Sequence, residues 1–278
     1  MSKSRALLIA VASVAILSIV ILIVRHYSRP PLSLSGPLIR ETRTVGVNGV
    51  TEMWQLQWRS TPKPWCDILN GPWETAPCQG FTYGEAGELD LVRYRNSREY
   101  ERLHLTPFFS AFPEHGAIVQ RWPAQRDDLT NGVPLLNSPE MQALLSRVRA
   151  RPTVKILSLT DDDHDGNATE FFLQTEAEAG HRYGVVVGVS ANNPHLHAFG
   201  TALHPDTPLV LKDMQWFELH RRGDMNVPVR VSDWKCPDRG ATTDTELELE
   251  PTAKGISVIR REYACGKEPR QLIREEYK

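Results

Sequence analysis

The chain has 278 residues, and its 32 Lys and Arg are nearly balanced by 34 Asp and Glu, which gives a formal net charge of −2. Four of the basic residues and none of the acidic ones precede residue 30, so the rest of the chain carries a formal charge of −6. This acidic balance, without a basic stripe interleaved with aromatic residues, argues against a nucleic-acid-binding protein.

The N-terminal residues predict a membrane anchor. After a short tail at residues 1–5, residues 6–24 form an uninterrupted apolar run, and a helix of that length spans roughly 28 Å, close to the hydrocarbon thickness of a bilayer. The length of the run and the Arg25 that follows it favour a retained transmembrane helix over the alternative, a cleaved signal peptide. Residues 25–37, rich in Pro and Ser, then predict a stalk that leads into a single globular domain at residues 38–278. The expected partner of residues 6–24 is the lipid bilayer.

Two sequence features give opposite predictions for the side of the membrane on which this domain lies. More basic residues follow the apolar run than precede it, which alone favours a cytoplasmic domain. However, the domain contains an even number of cysteines with no zinc-knuckle spacing, typical of disulfides in an oxidising compartment. We therefore predict an extracytoplasmic domain, periplasmic or on the cell surface. The four cysteines are Cys66, Cys78, Cys236 and Cys265.

Four cysteines allow three disulfide pairings. Pairing Cys66 with Cys78 and Cys236 with Cys265 closes the shortest loops, and we expect this arrangement. The alternative is four buried free thiols in a cytosolic protein, because free cysteine is often a small core residue.

Apolar alternation and β-branched runs predict a strand-rich domain. One helix is well indicated: Ser138 can cap it, Pro139 suits its first turn, and Pro152 stops it. The fold class is therefore mainly β or α+β, most simply an antiparallel sandwich with one or two helices. The predicted strands are Trp54–Trp58, Val154–Leu159, Phe171–Gln174, Tyr183–Val189, Thr207–Leu211, Val227–Val231, Thr245–Glu250 and Gly255–Tyr263.

One segment has the composition of a cation site. Asp161, Asp163 and Asp165 occupy positions 1, 3 and 5 of a loop that continues with Gly166 at position 6. Alternate residues of a tight turn can aim three carboxylates at one hard divalent cation, and the glycine permits the sharp bend.

At these residues the sequence resembles the D-x-D-x-D-G calcium loops of EF-hands, dockerins and FG-GAP repeats. The resemblance covers about ten residues and implies calcium ligands from Asp161, Asp163 and Asp165 and from the backbone carbonyl of Asn167. Those families place a carboxylate at position 9 or 12, whereas here Glu170 lies at position 10, so Glu170 or a water would complete the shell. Strand-like flanks favour the FG-GAP-like form over the EF-hand.

Two other interpretations of the acidic loop stay open. It could be a solvated acidic turn that binds nothing. Alternatively, the Asp161–Asp163 segment after an apolar run resembles the D-x-D motif of glycosyltransferases, although the residues before it lack the alternating strands and helices of that fold.

A second candidate metal site consists of His195, His197 and His204. An H-x-H pair on a strand would place both imidazoles on one face, where zinc or copper could bind. The alternative is that these histidines are ordinary polar residues of strand edges and turns. Common hydrolase and nucleotide-binding motifs are absent from the sequence.

These features together predict a non-enzymatic, membrane-anchored extracytoplasmic protein. Calcium would rigidify its domain, and its partner would be another protein or a glycan. The competing class is a metal-dependent enzyme, which would use either the histidine cluster or the D-x-D motif.

Overall fold

A computed structural model describes residues 38–66, 78, 80–129, 134, 138–178, 180–222, 227–236, 240–267 and 269–278. The predicted anchor at residues 6–24 and stalk at residues 25–37 lie outside the described residues. Among the residues that are described, no helix is long and apolar enough to cross a membrane. Leu38–Lys278 forms one compact unit.

The described part of the chain is mainly β, as the sequence predicted, and two α-helices accompany its strands. The strands are β1 (Leu38–Val47), β2 (Val50–Trp58), β3 (Lys63–Trp65), β4 (Gly84–Gly87), β5 (Leu89–Arg95), β6 (Arg98–His104), β7 (Ala117–Gln120), β8 (Glu170–Glu178), β9 (His181–Gly188), β10 (His197–Ala198), β11 (Leu211–Lys212), β12 (Val229–Trp234), β13 (Thr243–Thr252), β14 (Gly255–Ala264) and β15 (Leu272–Tyr277). The helices are α1 (Pro139–Arg149) and α2 (Asp213–Arg222).

The strands form four sheets, and each pair of named strands is antiparallel. Sheet 1 has the order β1-β2-β5-β6, and sheet 2 has the order β3-β4-β7. In sheet 3, β9 pairs with β8 along one edge and with β10 and β11 along the other. Sheet 4 has the order β12-β13-β14-β15.

Sheet 3 lies between two hydrophobic cores. Val185 and Val187 of β9 pack into the first core with Trp54 and Leu56 of sheet 1. Val186, which points to the opposite face, packs into the second core, to which α2 and sheet 4 contribute. Successive residues of a strand point to opposite faces, so the continuous apolar run of β9 is explained by burial on both sides.

Several sequence predictions are confirmed. The helix α1 begins after Ser138, whose Oγ accepts a hydrogen bond from the backbone N–H of Met141 at 3.1 Å. Both expected disulfides are present, with Cα atoms 5.3 Å apart for Cys66–Cys78 and 5.7 Å apart for Cys236–Cys265. These bonds link segments 12 and 29 residues apart in sequence.

The predicted strand at Val154–Leu159 was wrong, because that segment is irregular. Its apolar side chains do enter the core: Leu157 is buried beside the residues of sheets 1 and 3. The Val154 N–H donates to the Arg121 carbonyl at 2.8 Å, but other backbone groups of the segment bond to side chains of β1 instead of to a neighbouring strand. Arg40 Nη2 donates to the Val154 carbonyl at 3.0 Å, and Glu41 Oε2 accepts from the Ile156 N–H at 2.8 Å.

Only the last residue of the strand predicted at Thr207–Leu211 belongs to a strand, because β11 begins at Leu211. Pro208, which has no N–H to donate, forms only an isolated bridge with Gly200. The sequence interpretation also missed α2 and the strands β1, β3, β4, β5, β6, β7, β10 and β15. A hairpin signal for β1 was available, since Asn48 and Gly49 between β1 and β2 both have positive φ, as a two-residue turn requires.

A buried ion-pair network holds the centre of sheet 1. Arg93 is fully buried, and its guanidinium donates to both carboxylate oxygens of Glu52, at 2.7 and 3.0 Å. Arg95 and Tyr100 also donate to Glu52. Burial by itself would raise the pKa of Glu52, but the hydrogen bonds from Arg93, Trp54 and Arg95 hold that pKa below its ordinary value. The carboxylate is therefore charged and compensated.

Replacing Arg93 with Met should leave the Glu52 carboxylate buried without its main cation. We expect the free energy of unfolding to fall by about 3–5 kcal/mol, measured by chemical denaturation. The matched control is Arg95→Met, which removes a half-exposed partner of the same carboxylate and should cost much less. If the free energy of unfolding fell equally in the two variants, burial would not be what makes the loss of Arg93 more costly.

Candidate metal site

The acidic loop is closed at its base by one pair of backbone hydrogen bonds. The Thr160 N–H donates to the Glu170 carbonyl at 2.7 Å, and the Glu170 N–H donates to the Thr160 carbonyl at 3.1 Å. Glu170 is also the first residue of β8. The loop at residues 161–169 is therefore attached directly to sheet 3, so its position is set by the packing of that sheet.

Gly188 of β9 allows the loop to approach the sheet closely. It is the register partner of Glu170, and a Cβ at residue 188 would lie 2.3 Å from the Thr169 carbonyl oxygen and 2.8 Å from the Glu170 Cα. No side chain fits in that space. The glycine thus permits the start of β8 to reach its observed position.

Three carboxylates of the loop converge. One ligand oxygen from each of Asp161, Asp163 and Glu170 can be chosen so that all three atoms lie within 4.8 Å of one another. Glu170 is fully buried and Asp163 is 8% exposed. The Asp161 Oδ1 atom is itself buried without a hydrogen-bond partner among the described residues. Such a group could bind one divalent cation.

The other two ligands that the sequence predicted lie outside this group. Asp165 Oδ1 accepts hydrogen bonds from the backbone N–H and the side-chain amide of Asn167, at 2.8 and 2.9 Å. Asp165 Oδ2 accepts from the Ala191 N–H at 2.5 Å. Asp165 therefore joins the loop to the segment after β9, and the Asn167 carbonyl accepts from the Thr169 N–H at 3.1 Å.

Sequence reasoning missed the contribution of Asp162, which is buried directly behind the three carboxylates. Its backbone N–H donates to Glu170 Oε2 at 2.9 Å, and its Oδ2 accepts from the Thr160 hydroxyl at 2.6 Å. Its Oδ1 lies 3.6 Å from Nδ1 of His220, on α2. The same His220 nitrogen lies 3.3 Å from the Asp161 carbonyl. The helix is more than fifty residues away in sequence, and no local pattern indicates this contact.

Burial and mutual repulsion disfavour ionisation of the acidic groups at this position. Burial and the neighbouring carboxylates raise the pKa of Asp163 to about 7. Burial is also the main reason why the pKa of Glu170 rises to about 9, although the Thr169 hydroxyl and the Asp162 N–H donate hydrogen bonds to its carboxylate. The pKa of Asp162 is raised by burial as well. A bound cation would favour the charged forms that burial disfavours.

The structure does not assemble the histidine candidates into a comparable group within its described residues. The His195 side chain is 80% exposed, and its Nδ1 lies 3.3 Å from Glu101 Oε1. His197 Nδ1 donates to the His195 carbonyl at 2.8 Å, and the ring centroid lies 4.7 Å from that of Phe199. His204 is exposed in a turn, where its N–H bonds Thr201. Only His197 belongs to a strand, β10.

No protein-family model matches this sequence, and neither a curated protein nor a solved structure matches it. The function of the chain is therefore inferred from the arrangement of its own residues. The convergent carboxylates of Asp161, Asp163 and Glu170 are the part of that arrangement with the most specific chemistry.

The raised pKa of Glu170 predicts how stability changes with pH in metal-free solution. In the unfolded chain Glu170 ionises above about pH 4.3, whereas in the folded chain it keeps its proton until about pH 9. The folded state therefore binds more protons between these values, and its stability falls as the pH rises.

We expect the wild type to lose stability relative to Glu170→Gln between about pH 5 and about pH 8, by at most about 1.4 kcal/mol per pH unit. Chemical denaturation in the presence of a chelator measures this difference. Groups remote from Glu170 titrate alike in both proteins and cancel, whereas Asp163, which interacts with Glu170, contributes to the same difference. Parallel pH profiles for the two proteins would show that Glu170 ionises normally.

Proposed function

We propose that this chain is a membrane-anchored extracytoplasmic protein that binds calcium and whose role is binding, not catalysis. The observation that carries the proposal is the convergence of Asp161, Asp163 and Glu170 around a buried Asp161 oxygen that lacks a partner within the described residues. An unsatisfied buried oxygen beside two buried carboxylates is costly unless a cation compensates it.

The donor set favours a hard cation. All three side chains offer carboxylate oxygens, which suit calcium, magnesium or manganese, whereas zinc and copper sites usually include imidazole or thiolate. Calcium takes six to eight oxygens in flexible geometry, so backbone carbonyls and waters would supply the rest. Magnesium demands a stricter octahedron. An irregular loop with three carboxylates therefore suits calcium best.

Calcium at this position would rigidify the junction between several elements. Asp161 follows the irregular core segment, Glu170 begins β8, and His220 of α2 contacts the loop from the other side. A single ion bound by the loop would fix the end of that segment against the start of the strand. Since α2 packs into the second core, the ion would support both cores.

The location is proposed from three features. Residues 6–24 have the length and apolarity of a membrane-spanning helix. The two disulfides are typical of an oxidising compartment. Calcium is abundant outside cells, so even a weak site would be filled there. Together these features support an anchor at residues 6–24 with the C-terminal domain exported.

The enzymatic alternatives receive less support. The described sheets are antiparallel throughout their named strands, whereas the D-x-D interpretation calls for alternating strands and helices around a parallel sheet. In the histidine interpretation, His195, His197 and His204 would have to converge, but the His195 side chain is 80% exposed and the three do not form a group of converging ligands within the described residues. No arrangement in the described part of the chain favours either reaction over binding.

Calcium titration of the full-length chain tests the metal site. We expect calcium binding in the wild type and its loss in Asp161→Ala and Glu170→Gln, because each change removes a convergent carboxylate. The matched control is Asp127→Ala, an exposed aspartate remote from the loop in sequence, which should bind calcium like the wild type. Isothermal titration calorimetry gives the affinities.

A parallel titration with zinc separates the two metal hypotheses. Tight zinc binding that is lost in the double variant His195→Ala and His197→Ala, without calcium binding, would overturn the proposal in favour of the histidine site. The absence of binding of either metal would overturn both hypotheses and leave the acidic loop as a solvated turn.

Thiol labelling in intact cells tests the location. We expect the four cysteines to resist a membrane-impermeant maleimide until an impermeant reductant is added, because the disulfides block them and the domain lies outside. Labelling that requires membrane permeabilisation but no reductant would contradict both the topology and the disulfides. A cytoplasmic protein with a known free thiol serves as the control for membrane integrity.

A further inference from the structure

A cavity of about 440 Å³ lies next to the metal site. Asp163 belongs both to the convergent carboxylates and to the wall of this cavity. The rest of the wall comes from β6 and the turn after it, from the segment after β9, from β10 and the segment that follows it, and from the turn between β13 and β14. Cavities of this size accommodate small organic ligands, including a disaccharide unit.

The register of sheet 3 explains why the metal site and the cavity adjoin. Gly188 of β9 is the register partner of Glu170 on one side and of His197 on the other. Residues directly opposite one another in antiparallel strands point to the same face, and neighbouring strands lie about 4.8 Å apart. Glu170 and His197 therefore project from the same face of the sheet, on either side of a residue without a side chain.

The polar wall of the cavity combines carboxylates with the neutral hydroxyl and amide groups of Ser190, Asn192, Asn193 and Thr252. The carboxylates of Asp163, Asp165 and Asp206 line it together with the amide of Asn192, and Lys254 is the one basic residue among the described lining residues besides the imidazole of His197. Three carboxylates against a single ammonium disfavour an anionic ligand. A ligand rich in O–H donors fits this wall.

His197 adds an acceptor with a fixed orientation. Its Nδ1–H donates to the His195 carbonyl, so its Nε2 carries the lone pair. Burial lowers the pKa of His197, which keeps the ring neutral. Among the described residues Nε2 has no hydrogen-bond partner, and a ligand hydroxyl in the cavity could supply one.

The remaining wall is apolar. Phe108, Leu196, Phe199 and Pro208 line the cavity, and Phe199 itself is held in the second core. A pyranose presents C–H groups on its faces and hydroxyls at its edge, so it matches a wall that contains both apolar side chains and hydrogen-bonding groups.

We infer that this cavity binds a neutral glycan, whose hydroxyl oxygens complete the coordination of a calcium ion held by Asp161, Asp163 and Glu170. The inference rests on the calcium site of the proposed function. Calcium accepts hydroxyl oxygens as readily as water, since both are hard neutral oxygen donors. Asp163 lies on the cavity wall, so an ion bound to it would face the cavity.

A basic peptide is the competing ligand, and it makes the opposite prediction about calcium. Lysine or arginine side chains would be attracted to the metal-free carboxylates, and calcium would neutralise that attraction. Calcium should therefore promote glycan binding and oppose binding of a cationic peptide. The sign of the calcium effect distinguishes the two classes.

The test uses the full-length chain in a polyoxyethylene detergent, because a detergent with a sugar headgroup would compete for the cavity. The probes are maltose, cellobiose, lactose, mannobiose and N,N′-diacetylchitobiose, observed by saturation-transfer NMR with calcium and with a chelator. We expect at least one disaccharide to bind in calcium and to be released by the chelator. His197→Ala and Asn192→Ala should each weaken this binding about tenfold.

Matched controls separate failure of this inference from failure of the proposed function. His195→Ala changes an exposed neighbouring histidine outside the cavity wall and should bind the disaccharide like the wild type. Calcium titrations of His197→Ala and Asn192→Ala should give wild-type affinity, because neither residue belongs to the convergent carboxylates.

Each other outcome has a defined meaning. Calcium binding without binding of any disaccharide would overturn the glycan inference and leave the proposed function intact. Disaccharide binding that is unchanged by the chelator would overturn the coordination by hydroxyls. A lysine-rich peptide that binds only without calcium would replace the glycan with a cationic ligand. The absence of calcium binding would overturn the proposed function together with this inference.

Discussion

Burial of both faces of β9 is the constraint on which the arrangement of the domain depends. Because Val185 and Val187 face one core and Val186 faces the other, the strand can be stable only with a layer on each side. Sheet 1 supplies one layer, and α2 with sheet 4 supplies the other. The edges of β9 are also occupied, by β8 on one side and by β10 and β11 on the other. The positions of Glu170 and His197 are therefore set by β9, and the β9 residue that pairs with both of them is a glycine.

Two buried glutamates have pKa values that are shifted in opposite directions by their surroundings. Glu52 is compensated by Arg93 and Arg95, and its pKa is lowered. Glu170 is at least as deeply buried, yet its described hydrogen-bond donors are a hydroxyl and a backbone N–H, and its pKa is raised. Full burial of Glu170 beside the nearly buried Asp163 is not a feature of a solvated turn. This contrast is one reason for proposing that a cation binds at this position.

The sequence predicted features that depend on neighbouring residues, and it failed where distant side chains decide the structure. Strands such as β2 and β14 and the helix α1 follow from local periodicity and capping. The irregular segment at Val154–Leu159 looks like a strand by composition, but the side chains of Arg40 and Glu41, more than a hundred residues earlier, make two of its backbone hydrogen bonds. Only the folded structure shows that side chains, and not a neighbouring strand, bond to this backbone.

In the candidate metal site, too, the sequence indicates some residues, whereas contacts between distant residues appear only in the structure. The D-x-D-x-D-G pattern points to Asp161 and Asp163, which are two members of the converging group, and Glu170 at position 10 is the third. The contact of Asp162 with His220, and the cavity beside Asp163, involve residues brought together by α2, β10 and the β13–β14 turn. No spacing in the sequence carries this information, because these contacts arise from the stacking of sheet 3 against sheet 4.

The segment after β9 connects the metal loop to the ion-pair network of sheet 1. Its Ala191 N–H donates to Asp165, while Arg93 Nη1 donates to the Pro194 carbonyl at 2.7 Å and the Leu196 N–H donates to Glu101 at 2.9 Å. The Pro194 end is thus held by buried charge, whereas the Ala191 end is held by a loop carboxylate. If Asp165 turned toward a calcium ion, as the resemblance to calcium loops implies, it would release Ala191. The part of the wall that carries Asn192 would then be released at one end, so the proposed calcium binding would be coupled to the shape of the cavity through one hydrogen bond.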